Sequence, residues 1–359
     1  MYENSTEPPG NMTNSTASEA DFYFEKVIAI VVPVIFCMIS VIGFVGNVLV
    51  IIVVVSNKQM RNTTNILIIS LAIADLSFIV ICVPFTASNY ALKVWPFGDL
   101  WCKVVQYMMF VTAYASVYTL VLMSFDRYLA VVHAIWAMNY RTERNAYICV
   151  IVLWIVILVT NTPVLTLYTE LDYMFYDENR STCTFKNVKD PNNKAPRIVF
   201  GIFFGMGYTL PLTLVCLLYG FMLNRLLYGV APRLSHSAET VRSKKRVSRM
   251  VIIVVVIFAL CWLPNQVMFM LQWNSKARMD ELFVIMQTLG QVLSYLNSCI
   301  NPILYAFLSE NFRKGFRKVL CLNANTAMRN TDFERTNTRP LLTGATSLKS
   351  MGQTTENGL

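Results

Sequence analysis

Seven apolar runs constrain this chain more than any other feature: residues 27–55, 64–92, 100–133, 146–168, 195–227, 247–273 and 282–308. Crossing a hydrocarbon core takes about 20 residues of helix, and each run is long enough. Only 14% of the residues are charged and 55% are hydrophobic, whereas about a quarter of a soluble globular chain carries charge. The expected fold is therefore an all-α membrane protein, a bundle of seven transmembrane helices with its two termini on opposite sides. A transporter needs internal repeats or a charged path through the bilayer, and the chain shows neither. A membrane enzyme has little support, because there is no metal-ligand cluster and the two histidines, His133 and His236, fall on one side.

Sidedness follows from charge. Segments on the N-terminal side hold ten Lys and Arg against thirteen Asp and Glu, and those on the other side hold twenty against seven. A basic excess marks the cytoplasmic side, so the N-terminus is expected outside the cell and the C-terminus inside, with the protein in the plasma membrane. The net charge of +9 then reports topology and gives no reason to expect nucleic acid. Residues 1–26 read as an extracellular tail. Asn4, Asn11, Asn14 and Asn179 stand in N-x-S/T sequons on the outer side and are expected to carry glycans; Asn62 fits the pattern but falls inside. No cleavable leader is expected, because the first apolar run is long and follows a mostly polar segment. Two of the nine cysteines, Cys102 and Cys183, lie on the oxidising side, and one disulfide between them is expected.

Within the membrane, Asp75 is the one acid deep in any span, and a lone carboxylate there points to function. Asp126-Arg127-Tyr128 ends the third run where it meets water. Asp126 is expected to neutralise Arg127 in part, with the guanidinium kept near the interface. Pro211, Pro264 and Pro302 each remove a backbone hydrogen bond and are expected to kink their helices. Residues 309–321 read as an amphipathic helix on the membrane surface. Phe312, Phe316, Val319 and Leu320 would face lipid, with Arg313, Lys314, Arg317 and Lys318 towards water. Cys321 behind them is a candidate palmitoylation site. Residues 322–359 read as a disordered cytoplasmic tail rich in Ser and Thr.

Taken in order, these motifs resemble the rhodopsin-like (class A) G protein-coupled receptors. They are Asn47 in GFVGN, Asp75 in LAIAD, Cys102, Asp126-Arg127-Tyr128, Trp154, Pro211 with Tyr219, Cys261-Trp262-Leu263-Pro264, and Asn301-Pro302 through Tyr305. The resemblance covers residues 27–321 and implies a two-state bundle. A ligand binds outside, the sixth helix swings outward inside, and Arg127 helps engage a heterotrimeric G protein; arrestin and receptor kinases are the further partners. Trp262 is similar to the family's rotamer-sensitive residue beneath the ligand, Phe258 lies one turn below, and Tyr219 and Tyr305 match its inner tyrosines. Asp75, Ser116, Asn297, Ser298 and Asn301 resemble the family's sodium pocket, whose oxygens suit a hard cation. Apart from that ion no cofactor is expected. One departure is Lys244, which stands where many members carry an acid that pairs with the motif arginine.

The same resemblance narrows the ligand. Met109 occupies the position where amine receptors place an aspartate, and residues 282–308 contain no lysine for a retinal Schiff base. What the upper bundle offers is uncharged: Asn89, Tyr90, Trp95, Gln106 and Phe110 on the earlier helices, then Asn265, Gln266, Gln287, Gln291 and Tyr295. Amides donate and accept, which suits a neutral peptide end such as a carboxamide, although some of this set is expected to bond only within itself. The stretches WPFGDLWCKVVQY, VTAYASVYTLVLMSFDRYLAVVHAI, RNTTNILIISLAIADL and RTERNAY are similar to insect allatostatin A receptors and to galanin receptors. That implies a short amidated neuropeptide ending in an aromatic-x-Phe-Gly-Leu-amide pattern, with coupling to inhibitory (Gi/o) G proteins. A galanin- or kisspeptin-like peptide is the alternative within the fold; the polar upper bundle argues against a lipid.

Overall fold

The computed structural model describes residues 19–175, 178–188, 190, 192–228, 238–272 and 281–320. Asn4, Asn11, Asn14, Cys321 and the tail that follows it lie outside the described residues. The chain divides into Met1–Phe316 and Arg317–Leu359; of the second unit only Arg317–Leu320 is described, and it is helical.

Among the described residues six helices are long and apolar enough to cross a bilayer: Phe22–Ser56, Thr63–Ala91, Gly98–Val132, Glu143–Leu167, Ala195–Arg225 and Val251–Gln272. Glu281–Leu308 reaches that measure only together with Glu310–Leu320, from which it is bent by 101°. The reason is its polar stripe: Thr288, Ser294, Asn297, Ser298 and Asn301 are buried in the bundle, where they find partners without facing lipid. These segments are called the first to seventh spans below. The second and third are mostly buried and the first and fourth mostly exposed, and the third packs against the second, fourth, fifth and sixth.

Several boundaries differ from expectation. The first helix begins at Glu19, ahead of its apolar run, so the segment up to Lys26 is helical and not part of a loose tail. The sixth begins at Ala238, carrying the helix through the basic residues before position 247. The second span is interrupted at Cys82, with Pro84 in the first turn of Val83–Ala91, a position where the missing N–H costs nothing. Ahead of Pro211 the fifth span widens into a π segment, Gly205–Thr209, which absorbs the lost bond without ending the helix. The sixth and seventh helices continue through Pro264 and Pro302.

Two further departures concern elements outside the spans. The connection after the fourth span folds into an antiparallel hairpin, β1 (Tyr168–Phe175) and β2 (Glu178–Phe185), with Glu170 opposite Cys183. In the helix after Ser309, Phe312 does not face lipid. It is 2% exposed and stacks on Tyr305 with ring centroids 5.4 Å apart. Gly315 makes that approach possible, since a Cβ there would lie 2.4 Å from Val53 Cγ1.

Candidate functional site

The hairpin is fixed to the third span by the expected disulfide: Cys102 and Cys183 are bonded, with Cα atoms 5.5 Å apart. The backbone reinforces it. Trp95 N donates to Ser181 Oγ at 2.9 Å and Ser181 N donates to Lys93 O at 3.2 Å. Asp99 caps the other strand, accepting from Thr169 Oγ1 at 2.7 Å. Arg180 bridges Glu25 of the first helix and Glu178, at 2.5 and 2.9 Å. Lys93 and Arg180 together hold the Glu178 carboxyl below the usual carboxylate range. Asn179, the one described candidate glycan acceptor, is exposed on β2.

Against this hairpin lies a cavity of about 330 Å³, walled by β2 and by the second, third, fifth, sixth and seventh spans. Asn89, Tyr90, Trp95, Gln106, Met109 and Phe110 line it, as do Asn265, Gln287, Gln291 and Tyr295. Gln266 does not; it is 1% exposed and both its amide atoms lack a protein partner. One step along a helix rotates a side chain by about 100°, which turns Gln266 away from the space Asn265 faces. Phe269 and Gln272 also line the cavity, and helical spacing from Asn265 could have found them. Phe200, Phe203, Thr182, Thr184 and Phe185 join them; the hairpin residues gave no periodic signal. No charged side chain among the described residues lines the cavity.

Most of the amides are engaged with neighbours. Tyr90 Oη donates to Gln291 Oε1 at 2.7 Å, and Gln291 Nε2 donates to Tyr295 Oη at 2.9 Å. Gln287 Nε2 donates to Gln272 Oε1 at 3.0 Å, and Thr182 Oγ1 to Asn89 Oδ1 at 3.0 Å. Asn265 Oδ1 is different, being buried without a partner.

From the wall of the cavity an aromatic column runs into the bundle. Phe110 meets Phe203 at 5.1 Å, Phe203 meets Trp262 at 6.0 Å, and Trp262 meets Phe258 at 5.8 Å. The Trp262 Nε1, Tyr219 Oη and Tyr305 Oη atoms are all buried with no protein partner. Asp75 is fully buried. Its carboxylate accepts from Ser116 Oγ at 3.2 Å and from Asn301 Nδ2 at 2.8 Å. Asn297 and Ser298 are buried on the seventh span, and Asn47 Nδ2 reaches the Ser298 carbonyl at 2.9 Å. All five expected residues carry oxygen, the donor type a hard cation needs.

At the far end of the third span Arg127 is turned inward, 8% exposed. It donates through Nε to Asp126 Oδ2 at 3.0 Å and through Nη2 to Asp126 and Thr64. Thr64 Oγ1 itself donates to Asp126 at 2.9 Å, and Arg141 Nε does so at 2.7 Å. Sequence reasoning missed Thr64 and Arg141, which no spacing rule links to Asp126. Tyr128 Oη lies 3.2 Å from His133 Nε2, outside that cluster. Lys244 falls within the sixth helix.

Comparison with known proteins agrees with this layout. Residues 46–305 match the family model described as 7 transmembrane receptor (rhodopsin family). The chain is 48% identical to an allatostatin-A receptor of Bombyx mori over 311 residues, covering 87% of this chain and 85% of that protein. It is 38% identical to a galanin-like G-protein coupled receptor of Caenorhabditis elegans over 348 residues, 89% and 80% of the two chains. Galanin receptor type 2 of Mus musculus is 37% identical over 291 residues, 81% and 76%. With six membrane-length helices and a seventh bent pair among the described residues, the bonded Cys102–Cys183 pair and a family match across most of its length, the chain belongs to the rhodopsin family of seven-transmembrane receptors.

Proposed function

We propose that this chain is a cell-surface receptor for a short amidated neuropeptide of the allatostatin A type, signalling through a heterotrimeric G protein of the inhibitory (Gi/o) class. The N-terminus and hairpin face outside and the Arg127 end faces the cytoplasm, where arrestin and receptor kinases would also act. The observation that carries the peptide end is the uncharged wall of the cavity. A free carboxylate buried there meets no cation, whereas a carboxamide can donate and still accept. Asn265 Oδ1, buried and unpartnered at that wall, is the acceptor available for an amide N–H. The identity to a named allatostatin-A receptor, 48% against 37% for galanin receptor type 2 of Mus musculus, favours the allatostatin reading over the galanin one.

The oxygen cluster at Asp75 is read as a sodium site that stabilises the resting shape; two of its members already bond the carboxylate. Trp262, Phe258, Tyr219, Pro264, Asn301, Pro302 and Tyr305 are read as the parts that rearrange, because three of them carry the unsatisfied atoms. The relatives are receptors, and no catalytic role is assigned.

The test is to express the receptor and challenge it with an allatostatin A peptide as amide and as free acid, and with galanin, reading calcium and cyclic AMP together. The amide should lower cyclic AMP. The acid should be weaker by about 100-fold, the equivalent of on the order of 3 kcal/mol for a desolvated, unpaired charge. Equal potency of amide and acid would remove the role given to the uncharged wall, and a preference for galanin would replace the ligand.

A further inference from the structure

A second cavity, of about 360 Å³, lies between the second, third and fourth spans at the Arg127 end. Its wall is apolar: Leu67 on the second span, Leu122 and Phe125 on the third, Ile148 and Cys149 on the fourth. Phe125, Ile148 and Cys149 are exposed along the flank of the bundle, so this wall is open to lipid. Its polar end holds Asp126 and Arg141, with Tyr140 and Asn145 beside them.

The charge at that end does not balance. Asp126 is paired with both Arg127 and Arg141, and among the described residues neither arginine has an ion pair with a second carboxylate. One negative charge faces two positive ones, which leaves a surplus of one cation at the edge of the membrane. An unmatched charge in that setting is costly. The Arg127 side chain is 9% exposed and that of Arg141 is 28% exposed, so the surplus can be met from outside only at Arg141. Arg141 reaches Asp126 through Nε and Nη2, which leaves Nη1 for another acceptor. A guanidinium takes a phosphate through more than one N–H at once.

We propose that this cavity binds an anionic membrane phospholipid, with its phosphate at Arg141 and an acyl chain along Leu122, Phe125 and Ile148. The apolar wall selects a lipid over a free anion, and the surplus charge selects an anionic headgroup over a neutral one. A merely basic surface also draws anionic lipid, but diffusely and without a cavity.

The two are told apart by reconstituting the full receptor in nanodiscs of phosphatidylcholine mixed with phosphatidylserine, then counting the lipids that remain on it by native mass spectrometry. Wild type should retain a phosphatidylserine that Arg141→Gln loses. Cys149→Trp fills the cavity and touches no charge, and it should lose that lipid too. Arg144→Gln removes a nearby exposed arginine outside the cavity and should retain it. Peptide binding by each variant verifies that it is folded. Retention in Arg141→Gln overturns the proposal, as does retention in Cys149→Trp, which would place the lipid elsewhere. Equal loss in Arg144→Gln would reduce the effect to surface charge.

Discussion

Asn265 lies where the backbones of the sixth and seventh spans approach closely at Gly290. A Cβ on Gly290 would sit 2.9 Å from Asn265 N and 3.2 Å from the Pro264 carbonyl carbon, and neither is a side chain that could move aside. Gly290→Ala should therefore push the two helices apart, lowering stability by about 1–3 kcal/mol and weakening peptide binding by displacing Asn265. Thermal unfolding in detergent together with a binding isotherm measures both; an unchanged melting temperature would mean that the approach is not tight. Asp75→Asn tests the buried carboxylate in another way. The amide keeps the shape, and its oxygen can still accept from Ser116 or Asn301, but the charge a cation needs is gone. Agonist affinity in the wild type should fall as sodium rises, and in Asp75→Asn it should be indifferent to sodium; a persisting sodium effect would place the ion elsewhere. Residues such as Asp75, Asn47 and Arg127 could be read from the sequence because each is expensive in an apolar run and so announces a purpose. Thr64 and Arg141 could not, since a threonine and an interfacial arginine are ordinary until the fold sets them against Asp126.

The element with most influence on the cavity is the hairpin, which supplies part of its wall and carries one half of the disulfide. Breaking that bond releases β2 from the third span and leaves the hairpin held by the Trp95–Ser181 bond and the Arg180–Glu25 ion pair on β2 and by the Asp99–Thr169 bond on β1. Cys102→Ala and Cys183→Ala should each cost about 2–5 kcal/mol, and the double variant should cost no more than either, since one bond is lost in every case. Additive losses in peptide binding and surface expression would indicate two separate roles. The cysteines were legible from their side of the membrane, yet the strands were not. Their residues mix Tyr, Thr and Phe with acids, and their register is imposed by partners distant in sequence. The turn of Phe312 onto Tyr305 was hidden for a related reason: an amphipathic pattern separates apolar from polar but does not say which apolar residue meets the bundle and which meets lipid.

At the scale of the whole molecule, seven apolar runs predicted the architecture because length and hydropathy decide what a bilayer admits. The seventh span is the informative exception, apolar enough for the role only by a margin that its buried amides consume. Those amides and hydroxyls are spread along its length: Gln291 at the cavity, Asn301 bonded to Asp75 with Asn297 and Ser298 buried nearby on the same helix, and Tyr305 further on. Under the proposed function, a ligand at the cavity favours another packing of the sixth and seventh helices and is thereby coupled to the Arg127 end. At the far end, Arg127 is held by Asp126 and Thr64; under the proposed function it leaves them to meet the G protein. Removing it leaves Asp126 paired with Arg141, so the fold has a reason to survive. The measurement that bears most directly on this coupling is peptide binding and peptide-stimulated nucleotide exchange, taken on one reconstituted preparation of wild type and of Arg127→Ala with a Gi/o heterotrimer. Binding should persist in the variant while exchange falls to the level seen without peptide; exchange at the wild-type rate would show that the ligand's arrival is not read at Arg127.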